Sequence, residues 1–105
     1  MPVIEFNSIK KLTEMTYNTK DVIVDFYANW CGPCIRGASL YEEYSNNHKY
    51  SHIKFIKINI DNLSEEDRDK CHINSIPYLQ RYKNNYMVKD VNGLTNESLN
   101  FILSA

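Results

Sequence analysis

Cys31 and Cys34 stand with only Gly32 and Pro33 between them in the stretch Asn29-Trp30-Cys31-Gly32-Pro33-Cys34. Thiols at this spacing can close a structural disulfide, bind a soft metal, or cycle between dithiol and disulfide. Zinc asks for four ligands, and Cys31, Cys34, Cys71 and His72 are the set that reaches that number. Structural zinc sites bring a second close pair, however, and Cys71 and His72 are adjacent, a poor spacing for two ligands, so no metal is expected. Three cysteines in 105 residues do not make a disulfide-dense secreted scaffold. Glu5 and Asn7 fall where a signal peptide has an apolar stretch, which predicts a cytoplasmic setting. In a reducing compartment such a pair is more often reactive than a permanent staple.

The elements around the pair decide its reactivity. Residues 21–28, Asp-Val-Ile-Val-Asp-Phe-Tyr-Ala, form a nearly continuous apolar run, which predicts a central strand covered on both faces. A helix is expected from about Cys34 to Asn47, with Pro33 suited to its first turn because that turn leaves N–H groups unused. The cysteines therefore lie between a buried strand and a helix N-terminus, whose free N–H groups and partial positive charge favour a thiolate. Cys31, in the turn, should be the more exposed and the attacking thiol; Cys34, inside the first turn, should be more buried and resolve the intermediate.

The remaining order follows from periodicity. Residues 3–6 predict a short strand, and Asn7 or Ser8 caps a helix to about Tyr17. Residues 53–60 predict a strand with Ile56, Ile58 and Ile60 on one face and Phe55, Lys57 and Asn59 on the other. Residues 64–71 predict a short helix capped by Ser64, with acids in its first turn. Two further strands flank a turn at Asn84-Asn85, and Thr95 caps a last helix over 96–103. Strands alternating with helices give parallel pairing, and the hairpin adds an antiparallel edge. A length of 105 residues sets one domain, 1–105. A net charge of −1 gives no basic field for nucleic acid, and no long apolar run offers a membrane span.

The segments Asp25-Phe26-Tyr27-Ala28-Asn29-Trp30-Cys31-Gly32-Pro33-Cys34, Lys57-Ile58-Asn59-Ile60-Asp61 and Ser75-Ile76-Pro77-Tyr78-Leu79 resemble the thioredoxin family, and the resemblance runs from about Val3 to the end of the chain. It implies an α/β thioredoxin fold: a central mixed five-stranded sheet flanked by four helices in three layers. It implies that Cys31 is the nucleophile and Cys34 the resolver, with Gly32 and Pro33 tuning the redox potential. Asp25 would take the Cys34 proton, with Lys57 as its partner. Trp30, Ile76, Pro77, Tyr78 and Gly93 would form the substrate-binding surface, with Pro77 in the cis form and the Ile76 backbone pairing with substrate. If the thiol pKa falls from about 8.5 to about 7, a value given for this family and not worked out from this chain, the thiolate share at neutral pH rises about 15-fold. The weaker thiolate then loses about 5-fold in nucleophilicity, so docking must supply most of the rate.

The residues alone leave some of these roles open. Asp25 shares a face with Ile23 and Tyr27 in an apolar run, so it is either a buried acid with a raised pKa or a solvated residue near a strand end. Lys57 is a buried partner or a surface lysine, and Trp30 could serve the core. Pro77 could be an ordinary trans turn, because cis bonds are a minority of X–Pro bonds. Cys71 reads as a free buried thiol, with regulatory oxidation a secondary role; His48, His52 and His72 read as surface residues. Several positions depart from the family pattern. Ser39 stands where the family usually has a proline that kinks the helix, and Gly37 costs that helix up to about 1 kcal/mol relative to Ala. Tyr78 replaces a usual threonine and is expected to border the groove. Arg81 shares a face with Leu79 where apolar residues are usual; it must be paired or reach water along its stem, and pairing is expected, with Glu42 or Glu43 as candidates.

The reading that follows is a protein-disulfide reductase, an enzyme of cell redox homeostasis and electron transport that needs no bound cofactor. It would act on disulfide-containing proteins as a monomer, and a thioredoxin-reductase-type flavoenzyme using NADPH would recharge it. The alternative is a non-catalytic module docking a partner through the groove around Trp30, Ile76 and Tyr78. An oxidase or isomerase of an oxidising compartment is a third reading, disfavoured by the lack of a signal-like stretch.

Overall fold

Alternating strand and helix periodicities produce the element order the sequence predicts. The computed structural model describes residues 3–105; the expected domain start at residue 1 lies outside them. The elements are β1 (Val3–Phe6), α1 (Ile9–Asn18), β2 (Asp21–Tyr27), α2 (Gly32–Ser45), β3 (Lys54–Asn59), α3 (Glu65–Cys71), β4 (Tyr78–Lys83), β5 (Tyr86–Asn92) and α4 (Asn96–Leu103). The five strands form one sheet in the order β1-β3-β2-β4-β5. β1, β3 and β2 run parallel, while β4 is antiparallel to both β2 and β5. This is the mixed sheet with four helices of the thioredoxin fold.

The side-chain alternation of β2 divides the interior into two cores. Ile23 packs with Phe55, Leu79, Tyr41 of α2, and Leu99 and Ile102 of α4. Val22, Val24 and Phe26 face the other way, packing with Ile56, Ile58 and Leu12 of α1, with Cys71 of α3 at the margin. The sheet is therefore covered on both faces, which explains why β2 reads as a continuous apolar run. Local chemistry closes the elements: Ser8 Oγ accepts from Lys11 N–H at 3.2 Å, Ser64 Oγ from Asp67 N–H at 3.1 Å, and Thr95 and Ser98 form a reciprocal cap. The β4–β5 turn takes Asn84 and Asn85 to φ of 51° and 71°, the left-handed values that Asn tolerates.

Three details differ from expectation. The active-site helix begins at Gly32, two residues before Cys34, because Cys31 itself is the cap. Two 3₁₀ turns, His48–Tyr50 and Ile60–Asn62, had no periodic signal, being too short to show one. Arg81 is paired, but neither Glu42 nor Glu43 is the partner. Its Nε and Nη2 donate to the two carboxylate oxygens of Asp21 at 2.6 and 2.8 Å, and Nη1 donates to the Ile102 carbonyl at 2.8 Å. Asp21 starts the neighbouring strand, so the pair spans β2 and β4 at the end of the sheet away from the cysteines. The forked guanidinium matches the carboxylate and permits Arg81 to be 2 % exposed. His52, on the surface as expected, places Nε2 3.6 Å from the same carboxylate.

Gly37 also gains its reason. A Cβ at that position would meet the Leu94 side chain at 2.5 Å and its carbonyl oxygen at 2.7 Å. The helix accepts glycine's poor propensity in order to approach the β5–α4 connection closely. α2 runs unbroken through Ser39, from Gly32 to Ser45.

Candidate active site

β2 ends at Tyr27 and the chain turns through Ala28, whose carbonyl accepts from Cys31 N–H at 3.2 Å. Cys31 caps α2: its Sγ accepts from Cys34 N–H at 3.2 Å. The cap sulfur therefore sits where the helix leaves N–H groups unpaired, which favours negative charge on it. Cys31 and Cys34 are joined as a disulfide. They are 5 % and 3 % exposed, so the expected order holds but the difference is small. What separates them is the space each one borders.

Cys31 lines a cavity of about 450 Å³ together with Trp30, Gly32, Pro33, Ile60, Ile73, Asn74, Ser75 and Ile76. Trp30 is 68 % exposed, and its Nε1–H donates to Asp61 Oδ2 at 2.9 Å. Asp61 is held in turn by its N–H donating to Asn59 Oδ1 at 3.0 Å. The Ile76–Pro77 bond is cis, as the resemblance implies, and the Ile76 carbonyl oxygen lies 3.7 Å from Cys31 Sγ. This loop is tied to the end of β5. Gly93 N–H donates to the Pro77 carbonyl at 2.8 Å, and the Asn92 amide donates to Ser75 O and Oγ at 3.1 and 2.8 Å. Gly93 has φ of 101°, a conformation that favours glycine, although open space surrounds its Cα.

Cys34 faces the other way, onto a smaller cavity of about 180 Å³ with Asp25, Tyr27, Ala38, Ser39, Tyr41, Glu42 and Lys57. Asp25 is 4 % exposed, and its Oδ1 has no hydrogen-bond partner. Burial raises its pKa from the ordinary 3.8 to about 7, against the opposing pull of the Lys57 charge. Lys57 lies directly across the β2–β3 ladder from Asp25. It is half-buried, forms no ion pair within 4.0 Å among the described residues, and places Nζ 5.7 Å from the centre of the Tyr27 ring. Lys57 is thus the charge partner of Asp25, as expected, but it is half-buried and acts on the carboxyl without a direct ion pair. The Tyr27 hydroxyl donates to Glu5; burial and this acid raise the phenol pKa.

Three expected groove residues lie outside the lining of the larger cavity: Pro77, which is buried, Tyr78 and Gly93. Tyr78 does not line the cavity beside Cys31; its ring stacks on Phe26 at 6.1 Å and its hydroxyl donates to Asp90 Oδ2 at 2.7 Å. β4 alternation points Tyr78 into the core under α1 and α3, which explains the difference. Gly93 is outside the lining too, and braces the Pro77 loop from behind. Ile60, Ile73, Asn74, Ser75 and Asp61 were missed from the sequence as site residues. The only signal was their closeness to the Lys57–Asp61 and Ser75–Leu79 motifs. Cys71 is half-buried, and burial followed by the Asp67 charge raises its pKa, which disfavours the reactive thiolate. Among the described residues no group of three or more His, Cys, Asp or Glu side chains is placed to hold a metal ion.

Dithiol–disulfide exchange requires a sulfur reachable by a partner's disulfide and a second sulfur that closes on the first from within. The two cavities separate these approaches, and the fold and site together define a thiol–disulfide oxidoreductase. Comparison with known proteins carries this further. The family model for thioredoxin matches residues 4–104. Thioredoxin 1 of Plasmodium falciparum is 41 % identical over 95 residues, spanning 90 % of this chain and 83 % of that protein. Thioredoxin-1 of Schizosaccharomyces pombe is 39 % identical over 74 residues, 70 % of this chain and 69 % of that protein. A solved structure of Plasmodium falciparum thioredoxin superposes with a TM-score of 0.83 at 36 % identity, covering 93 % of each chain. The chain belongs to the thioredoxin family. It is a dithiol–disulfide reductase whose substrates are protein disulfides.

Proposed function

We propose that Cys31 is the attacking thiol and Cys34 the resolving one, with Asp25 as the base. The Cys31 thiolate attacks one sulfur of the partner's disulfide; the other leaves as a thiolate, and a mixed disulfide joins the two proteins. Cys34 then passes its proton to Asp25 and attacks the Cys31 sulfur. This closes the intramolecular bond and expels the second partner thiolate. A carboxyl with pKa about 7 suits this step, because near neutral pH it is partly ionised yet still basic enough to accept a proton. The observation that carries the assignment is the opposite outlook of the two cysteines, Cys31 onto the large groove and Cys34 onto the Asp25 cavity.

In this reading Trp30, Ile76 and Pro77 hold the partner segment, with the Ile76 backbone pairing to it, while Gly32 and Pro33 set the poise of the couple. Lys57 moderates Asp25 through its charge. The resulting disulfide takes two electrons from NADPH through a thioredoxin-reductase-type flavoenzyme. The protein works as a monomer in the cytoplasm and carries electrons in cell redox homeostasis. The test is trapping. Cys34→Ser should accumulate partner proteins on Cys31, released by dithiothreitol, while Cys31→Ser should trap none and lose insulin reduction. The reverse pattern would exchange the two roles. The potential of the pair should lie at or below the glutathione range of about −220 to −260 mV; a value above it would indicate an oxidant.

A further inference from the structure

Arg36 follows the cysteine pair by two residues and takes no part in the exchange described above. On a helix, residues four apart stack on one face, and long side chains run back toward the N-terminus. Arg36 is four residues beyond Gly32, and its guanidinium folds back accordingly. A Cβ placed on Gly32 would lie 3.1 Å from Arg36 Nη1, 3.8 Å from Cζ and 4.0 Å from Nη2. Gly32 is itself part of the wall of the Cys31 groove. A guanidinium therefore flanks that wall, one residue along the chain from the Cys31 sulfur.

Among the described residues this cation has no partner. Arg36 is exposed, and among the described residues neither an ion pair nor a side-chain hydrogen bond engages it. Its guanidinium, folded back over Gly32, also runs against the helix dipole, since the first turn of a helix favours anions over cations. On the opposite rim the Asp61 carboxylate is oriented by Trp30 Nε1–H, and Arg68 Nη2 reaches the Asp61 main-chain carbonyl at 3.4 Å, so the two rims carry opposite charge. Between the rims the floor is largely apolar, with Ile60, Ile73 and Ile76. The groove thus offers a peptide-sized apolar bed with a fork-shaped positive charge over its Gly32 wall.

We propose that Arg36 is a specificity-determining residue of the reductase. It binds the carboxylate of an Asp or Glu in the partner polypeptide, within two residues of the partner's reacting cysteine. The inference rests on the reading that Cys31 attacks a segment seated in this groove. The charge complement is specific in kind: a guanidinium grips a carboxylate through two parallel N–H donors, which Lys or Gln in the partner cannot accept.

Short peptides with one cysteine, activated as 2-pyridyl disulfides and differing only in a Glu, Gln or Lys beside it, test this with the reduced protein. Release of thiopyridone follows the first attack by absorbance. The Glu peptide should react about three- to fivefold faster than the Gln peptide at low salt, the scale of one solvent-exposed ion pair, and the advantage should shrink as salt rises. Arg36→Gln should bring the Glu-to-Gln ratio to one, Arg36→Lys should restore part of it, and Arg36→Glu should favour the Lys peptide instead. A ratio of one in the unmodified protein overturns the proposal. So does a ratio that Arg36→Gln leaves intact while the pH–rate profile moves, because the guanidinium would then act on the Cys31 thiolate. Reaction persisting in Cys31→Ser overturns the groove reading as well, which separates the two failures.

Discussion

Asp25→Asn removes the buried carboxyl while keeping its shape, and its effect on stability should depend steeply on pH. The folded protein holds the Asp25 proton up to about pH 7, whereas an unfolded chain releases it near 3.8. Between those values the unfolded state binds fewer protons, so unfolding releases a proton and stability falls as pH rises. The gap is about three pH units, each about 1.4 kcal/mol, so the acid costs the fold about 4 kcal/mol above pH 7 and nothing below pH 4. Asn carries no charge to desolvate. Asp25→Asn should therefore match the parent protein at pH 3.5 and exceed it by about 2–4 kcal/mol at pH 8, the lower figure allowing for relaxation around the charge. Urea unfolding of the oxidised form across pH 3.5–8 measures the difference with Cys31 and Cys34 held out of titration in the disulfide. In single-turnover experiments the same variant should form the mixed disulfide normally and release it slowly at neutral pH. A stability difference constant across pH would refute the reasoning, since it would mean that Asp25 does not titrate in this window.

Other outcomes follow from the packing. Gly37→Ala should destabilise the protein by about 1–3 kcal/mol in urea, despite alanine's better helix propensity, because the new methyl meets the Leu94 carbonyl; a gain in stability would show that the β5–α4 connection gives way freely. Arg81→Ala should cost about 3 kcal/mol or more by leaving Asp21 without its partner, and a loss below about 0.5 kcal/mol would contradict the pairing. Pro33→His, which loosens the turn, should make the couple more oxidising by several tens of millivolts against glutathione, where about 30 mV is about 1.4 kcal/mol; an unchanged potential would remove Pro33 from the control of poise.

The elements and the reaction centre were legible in the sequence for different reasons. β2 announced itself because both faces of the sheet are covered, so its side chains form an apolar run, and β3 did so through isoleucines at every second position. Asp25 was legible because it breaks such a run, and the structure leaves one of its oxygens without a partner. The start of α2 was misplaced because a cysteine sulfur serves as the cap, and thiols are not among the usual capping groups. Arg81 showed that pairing was needed but not with what. Its partner, Asp21, is 60 residues away in sequence and is brought close only by β2–β4 register. Tyr78 misled because its position next to Pro77 suggests the groove, whereas strand alternation turns it to the opposite side. Asp61 and the residues 73–76 had no periodic signature at all, since loops carry no repeat to read.

The bracing of the Pro77 loop has a consequence for how this family tolerates change. The groove wall opposite the cysteines is fastened at main-chain carbonyls of the loop: the Gly93 main-chain N–H donates to the Pro77 carbonyl, and the Asn92 side-chain amide donates to the Ser75 carbonyl. Those carbonyls are present whatever side chains the loop displays, provided that position 92 keeps its amide donor and that a residue at position 93 can adopt its left-handed backbone. Residues 73–75 are thus free to diverge without moving the wall that faces the sulfur. Such a loop works as an interchangeable faceplate on a fixed mount. Lineages can alter which proteins dock while leaving the chemistry of exchange untouched, and the same property makes this segment the natural place to graft a new recognition sequence.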